Sequence, residues 1–525
     1  MHQRTIIPIA VGITAVLGLC AVISSRQNEK PKNLFTPNIP KTWDDAAMAT
    51  LEVPLADPIG SPKHVSAAYY YRIPVRPIYK SYPVYAPSHE PPGYMDSLKQ
   101  QEPMIIWDDK GHTPPLETEA DWIKAGETVF EAARFYDFSL PVEAVHDPTW
   151  YRKTGTPIAK NGTIPFVRYV VRKKGQVELG NLSCAMCHTR VMEDGRIIKG
   201  AQGNFSFDRS IGFGIRAVAA APNRPPNLLE ISRANELSLY ATPWLRPDPS
   251  ARFAQMSLEE IASARDAIPP GVQARHRTSS FYPAQVPDLI GVKDRHYLDR
   301  TGLQQHRTIV DLMRYAALNQ GGDDLANYDG FVPADFPNFR KLPSPDKLDV
   351  PDRDRYSDEQ LYALALYVYS RQPPPNPNKF DALAAGGQKV FKREGCGMCH
   401  APPLYTNNKL TLADGFAPPA GATEKYDILP ISVGTDPNLA LKTRRGTGYY
   451  KVPSLKGVWY RSMFGHSGWC ATLEDWFDPR RVRDDYVPTG FKPYGAKTYA
   501  VKGHPFGLDL STEDKKALIM FLKTL

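Results

Sequence analysis

Four stretches of the chain space their apolar residues at the helical period behind a polar cap. The first opens at Thr118, where Thr118 and Asp121 have the spacing of a capping box, and runs through Ala125-Gly126-Glu127-Thr128-Val129-Phe130. The second opens at Ser357 with Gln360, carries Leu361, Leu364, Leu366 and Val368, and is stopped by Pro373-Pro374-Pro375. The third is Ala385-Gly386-Gly387-Gln388-Lys389-Val390-Phe391. The fourth opens at Ser511 and carries Leu518, Ile519, Phe521 and Leu522. Apolar positions at 167–171 and 176–179 flank Lys173-Lys174-Gly175 and predict a hairpin.

Other stretches carry no such period. Residues 33–115 hold Tyr69-Tyr70-Tyr71 and scattered prolines, including Pro74, Pro77, Pro83 and Pro87. Proline at this density favours extended chain, and tyrosine at this density favours packing. The stretch reads as an arm that wraps on the body, with an apolar partner surface as the alternative. Residues 6–23 form one apolar run behind Arg4. It is near the shortest run that spans a bilayer, so a membrane anchor and a cleaved signal peptide both stand.

The first and third helices share Gly-x-x-Val-Phe, at Gly126 and at Gly387. This is an internal repeat. Each copy is followed by a Cys-x-x-Cys-His motif and, after long loops, by a late helix. The first copy lies far ahead of its motif, so the first unit carries an insertion at about 137–182. The expected organisation is a targeting segment at 1–32, the arm at 33–115, and two units at 116–375 and 376–525. The expected fold class is mainly α, two c-type cytochrome domains with long loops.

Composition narrows the picture only slightly. Of 525 residues, 23% are charged and 42% hydrophobic, as in an ordinary globular protein. The net charge of +8 is spread along the chain, which argues against nucleic acid as a partner. Six cysteines are present. Four lie in the two motifs, Cys20 lies in the apolar run, and Cys470 stands alone.

The motifs are Cys184-Ala185-Met186-Cys187-His188 and Cys396-Gly397-Met398-Cys399-His400. CxxCH is the attachment signature of c-type haem. Two thiols bond the vinyl groups of one porphyrin, and the adjacent His reaches its iron. A zinc ribbon would bring two CxxC pairs close together, and a redox dithiol would want a βαβ context. The sequence therefore predicts two covalently bound haem c groups, held by Cys184, Cys187 and His188 and by Cys396, Cys399 and His400. In bacteria such haem is attached outside the cytoplasmic membrane. The body is expected in the periplasm, with the N-terminal segment as its link to the membrane if uncleaved.

The second unit resembles the bacterial diheme cytochrome c peroxidases, the diheme enzyme of methylamine utilisation and the diheme rubber oxygenases. The resemblance rests on Gly387 to Phe391, the second CxxCH, Pro402-Pro403-Leu404-Tyr405, and Lys451-Val452-Pro453-Ser454-Leu455-Lys456-Gly457-Val458. It continues at Gly465-His466-Ser467-Gly468 with Leu473-Glu474, and at Gly503-His504-Pro505-Phe506-Gly507. In the first unit the matching stretch is Val286-Pro287-Asp288-Leu289-Ile290-Gly291 through Leu298-Asp299. The chain departs from the peroxidases at Leu298, where they carry Trp, and near 477–480, where they carry a capping Met. Of their distal acid, the stretch 309–319 offers only Asp311. The closing Gly-His-x-Phe-Gly looks more like the rubber-oxygenase branch, where a late His closes the second haem.

The sixth ligand at each iron decides function. For the haem on His400, His504 is the first candidate, His466 the weaker one and Met463 the third. For the haem on His188, His276, His296 and His306 are candidates, but each sits beside Arg and reads better as a surface histidine, with an open or weakly ligated iron as the favoured reading. An open iron implies an oxidoreductase in which the second haem relays electrons to the first, which meets peroxide or oxygen. Two closed irons imply a diheme electron-transfer cytochrome. A scaffold role for the arm is a third reading. A redox partner protein is expected under either of the first two. The motifs predict that denatured protein keeps two haems on the chain. Cys184→Ser with Cys187→Ser, or Cys396→Ser with Cys399→Ser, should each remove one, read by intact mass.

Overall fold

The computed structural model describes residues 33–133, 142–180, 182–275, 278–321, 325–327 and 354–525. The N-terminal apolar run and His276 lie outside the described residues. Among the described residues no helix is long and apolar enough to cross a membrane.

Eight helices frame the molecule: α1 (Glu119–Glu131), α2 (Phe207–Ala220), α3 (Leu228–Tyr240), α4 (Leu258–Asp266), α5 (Ile309–Gly321), α6 (Asp358–Tyr369), α7 (Ala382–Arg393) and α8 (Thr512–Lys523). The caps read from sequence are formed. Thr118 and Asp121 exchange hydrogen bonds at the start of α1, and Ser357 and Gln360 do so at α6. Each satisfies donors that a helix start would otherwise leave open. Ser511 caps α8 by accepting from the Asp514 amide.

The repeat takes its meaning from two helix crossings. α1 packs on α6, and α7 packs on α8. Gly126 faces the Ala363 carbonyl so closely that a Cβ would lie 2.0 Å from the oxygen. Gly387 faces the Ala517 carbonyl, with the same distance 1.9 Å. Only a residue without Cβ permits either approach. Phe130 then packs on Tyr367 and Phe391 on Phe521, with ring centroids at 5.2 and 5.4 Å. The two units thus repeat one crossing, with Tyr367 in the first where the second has Phe521.

The expectation of a mainly α fold needs correction. Helices hold 37% of the structure and strands 12%, which makes it mixed. The strands are short and lie in separate two- and three-stranded ladders. Pieces of two to six residues are too brief to write a period of two into the sequence. The longest ladder is the predicted hairpin, Arg168–Lys173 against Gln176–Gly180. The ladder that matters for the site places Leu410–Leu412 between Ile428–Ser432 and Tyr449–Lys451, with Thr411 opposite Tyr450.

Residues 33–115 lie against the first unit. Trp43 stacks on Tyr70 at 4.4 Å, and both belong to the core cluster that holds Val129, Phe130 and Tyr367. The Thr42 amide and the Tyr71 hydroxyl donate to Asp358, in the first turn of α6, at 3.1 and 3.2 Å. Ser81–Tyr82 extends the hairpin sheet. The two units also share cores: one cluster combines Phe253, Ile261 and Phe281 with Trp469, Phe491 and Val501.

Gly387→Val should cost about 3 kcal/mol, because the clash is with backbone and cannot be relieved by a rotamer. Gly386→Ala, whose Cβ would meet only the Ala517 Cβ at 4.0 Å, should gain up to about 1 kcal/mol from helix propensity. Denaturant midpoints of the two variants check the contrast.

Candidate functional site

Both CxxCH motifs fold as one tight turn. Cys184–Cys187 is a helical turn capped by Ser183, and Cys396–Met398 is a tighter turn after Gly395. In each, the His amide donates to the carbonyl of the first Cys at 2.9 Å, His188 to Cys184 and His400 to Cys396. Among the described residues the motif cysteines form no disulfide.

Each motif His is held by a second loop. His188 Nδ1 lies 3.0 Å from the Pro287 carbonyl, and His400 Nδ1 lies 3.1 Å from the Pro453 carbonyl. A carbonyl only accepts, so Nδ1 carries the proton in both rings. That leaves the Nε2 lone pair for a metal, the arrangement a ligating imidazole needs. The two loops are themselves a repeat, Val286-Pro287-Asp288-Leu289-Ile290-Gly291-Val292 and Val452-Pro453-Ser454-Leu455-Lys456-Gly457-Val458. Gly291 and Gly457 both sit in the left-handed region, φ 73° and 74°, and turn the chain into matching short helices. The sequence carried this signal, but the role of the proline carbonyls was not read from it.

The chamber beside His400 has a volume of about 230 Å³. Cys396, Cys399, His400, His466 and His504 line it, together with Phe391, Leu473, Trp476 and Leu522. The ring centroids of His400 and His504 are 6.5 Å apart. With metal–nitrogen bonds of about 2.0 Å, two imidazoles on opposite faces of one iron have centroids roughly 6 Å apart. The pair therefore has the spacing that a six-coordinate haem requires. His504 Nδ1 is buried with no hydrogen-bond partner among the described residues, so packing against Trp476 and Phe506 holds the ring. His504 stands at φ 45°, strained for a residue with a side chain. Arg481 fixes this loop by donating to the carbonyls of Gly503 and His504 at 3.0 and 2.8 Å.

The other candidates here fit less well. His466 lines the same chamber but stacks flat on Tyr450 at 3.9 Å and meets Trp469 edge-on. Met463 does not line it and packs instead in the cluster of Trp469 and Val272.

The chamber beside His188 is smaller, about 80 Å³, and a larger share of its wall is polar than in the His400 chamber. Its fit to haem rests on the cysteine pair and the imidazole tautomer. Its walls include Asp299, Tyr315, Asn319 and Arg445. The Tyr315 hydroxyl donates to Asp299 Oδ1 at 2.8 Å, Arg445 pairs with the same carboxylate, and Arg445 Nη2 donates to Asn319 at 3.2 Å. Arg275 and Gln320 place N–H groups on the sulfurs of Cys187 and Cys184 at 3.5 and 3.7 Å.

Two of the three candidate histidines for this iron, His296 and His306, are elsewhere, and His276 lies outside the described residues. His306 has both ring nitrogens engaged, with the Arg295 carbonyl at 2.6 Å and the Tyr369 hydroxyl at 2.7 Å. His296 is exposed and faces Asp427 at 3.5 Å. Asp311 is occupied too, paired with Arg307 and Arg314 at 2.9 Å. Tyr315, Asn319 and Arg445 were missed because no motif marks them; their carriers converge only in three dimensions. Asp299 was noted only as a match to the resembling families.

Burial sets the proton affinities. It pushes the His188 and His400 imidazoles down to about 4. Burial, with the neighbouring His400, pushes His504 to about 3. Burial and the Arg300 guanidinium do the same to His466. All four are neutral at neutral pH, as imidazole ligands must be.

No family model matches the chain, and no curated protein does. Among solved structures, hydrazine synthase of Kuenenia stuttgartiensis aligns at TM-score 0.29 and 16% identity, over 59% of this chain and 92% of that one. A MauG-like protein associated with microbial copper homeostasis aligns at TM-score 0.28 and 16% identity, over 58% and 91%. Both are distant likenesses.

A His whose folded pKa lies below its unfolded value near 6.5 binds fewer protons folded than unfolded in the window between the two. Stability should therefore fall as pH drops from about 6.5 toward 4. Guanidinium midpoints at neutral and mildly acidic pH check this. His466→Phe, which keeps a ring on Tyr450, should narrow the difference between them.

Proposed function

We propose that the chain is a diheme c-type oxidoreductase with one closed and one open iron. The observation that carries this reading is the asymmetry of the two chambers. His400 has His504 opposite it at 6.5 Å. The chamber of His188 is walled by Asp299, Tyr315, Asn319 and Arg445, with no second His among its described lining residues.

Cys184, Cys187 and His188 would hold one haem, and Cys396, Cys399, His400 and His504 the other. The haems would supply one-electron transfer and a site where peroxide or oxygen can bind. The residues around them divide the remaining work. The Pro287 and Pro453 carbonyls hold each proximal imidazole in one tautomer and raise its basicity. Tyr315 can hold a proton at its hydroxyl: burial and then the Asp299 charge push its pKa up. Arg445 places guanidinium N–H groups at the same wall, donating to Asp299 and to the Asn319 side-chain oxygen, where a polar oxidant would be oriented. The apolar walls of the His400 chamber exclude water and leave that side for electron relay. A redox partner protein supplies the electrons, and the body works in the periplasm. The second reading, an electron-transfer cytochrome without its own substrate chemistry, would require a sixth ligand on the His188 side as well.

Low-temperature electron paramagnetic resonance on the ferric protein separates the two. The expected spectrum has one high-spin and one low-spin signal. His504→Ala should convert the low-spin signal to high-spin and leave the other unchanged. Two low-spin signals in the parent would replace the oxidoreductase reading with the electron-transfer one.

A further inference from the structure

Between the loops that hold His188 and His400 lies a small pocket that adjoins the His400 chamber and shares Arg300, Lys451 and Arg461 with it. It is lined by both His-binding residues, Pro287 and Pro453, and by Arg295, Arg300, Lys451, Arg461 and Asp288. Four cationic side chains thus face one carboxylate deep in the molecule. Asp288 is already engaged. It accepts from the Ile290 amide at 3.0 Å and from the Tyr460 hydroxyl at 2.8 Å, and Arg461 stands 4.0 Å away.

The cations are otherwise met only by neutral carbonyls. Arg300 donates to those of Gln285 and Val286 at 3.2 and 3.3 Å, and Lys451 to that of Tyr297 at 3.3 Å. Arg461 Nε is buried without a hydrogen-bond partner among the described residues. The next acid, Asp299, is taken by Arg445. Burial and the neighbouring guanidinium groups of Arg461 and Arg295 push Arg300 down to about 9, and burial with Arg295 and Arg300 pushes Lys451 well down. Like charges buried together are costly unless an anion joins them.

Arg300 is also the hinge of the geometry. With Gln285 it lines both the His188 chamber and the His400 chamber. Each haem carries two propionate carboxylates, and the nearby acids Asp288 and Asp299 are already engaged. Planar guanidinium is the natural partner for carboxylate. We propose that Arg300, Lys451 and Arg461 form a carboxylate seat shared by propionates of both haems. Arg300 would then be a binding residue common to the two cofactors, and its charge would act on both irons. The proposal rests on haem at both motifs.

Reduction adds an electron, so a nearby positive charge favours the reduced state and raises the potential. The test is an optical redox titration of the holoprotein, after intact mass has counted its haems. Arg300→Gln should lower both midpoint potentials, and Arg300→Lys should hold both close to the parent. Lys451→Gln, which alters a wall of the His400 chamber but not of the other, should lower that potential more. It serves alone if Arg300→Gln does not fold. Exposed Lys516→Gln should move neither, and added inorganic phosphate should move neither in the parent. A shift at only one haem in Arg300→Gln, or at none, overturns the shared seat. So does an equal shift in Lys516→Gln. A response to phosphate means that a free anion occupies the pocket and overturns propionate as the occupant. A chain that carries no covalent haem overturns the functional reading itself and the seat with it.

Discussion

The contact on which most else depends is the meeting of a glycine with a carbonyl at each helix crossing. Gly387 against Ala517 brings α7 and α8 closer than side chains would permit. The second CxxCH turn follows directly from the end of α7, so the crossing sets where His400 stands. α8 carries Leu518 and Leu522 into the chamber wall, and the loop before it carries His504. One backbone approach therefore places the proximal His and its opposite number together. The same crossing at Gly126 and Ala363 frames the first unit, but its return helix brings no His. The asymmetry between the chambers thus arises within a repeated scaffold.

Charge between the chambers is the second constraint. Arg295, Arg300, Lys451 and Arg461 come from both units and converge beside the two proline carbonyls. The Tyr449–Lys451 strand supplies Lys451, and the repeated Val-Pro loops supply the rest of the frame. Such a cluster is unfavourable in the chain alone and favourable once anions arrive. If the proposed haems are held there, folding of this region and their binding would be coupled through electrostatics.

The sequence was most legible where chemistry is written locally. The capping boxes at Thr118 and Ser357, the glycine repeat, the hairpin at 168–180 and both CxxCH turns all lie within a few neighbouring residues. His504 was legible because Gly503 and Pro505 mark a loop just before a helix. The polar chamber was not, because Asp299, Tyr315 and Arg445 come from three separate stretches. His306 and Asp311 were open for a related reason. Both are polar groups in an apolar setting, but His306 serves the Arg295 carbonyl and Tyr369, and Asp311 serves Arg307 and Arg314. A buried polar residue must have partners, and sequence does not say whether those partners are cofactor or protein. The short ladders escaped notice because two residues cannot show a period.

The chambers also differ in what they do to charge, and the difference has a direction. Around His400 and His504 the walls are largely apolar, with Phe391, Leu473, Trp476 and Leu522 beside the rings. An iron there would be closed by two neutral imidazoles that cannot protonate at neutral pH, since burial holds both far below their usual range. Such a site changes little on gaining or losing an electron, which suits relay. Around His188 the walls can donate and hold protons, through Tyr315, Asp299 and Arg445. Reduction of a bound oxidant consumes protons as well as electrons, so the site able to manage both is the one with polar walls. The proposed electron entry through the His400 side and chemistry at the His188 side would use that division, with Arg300 lining both chambers.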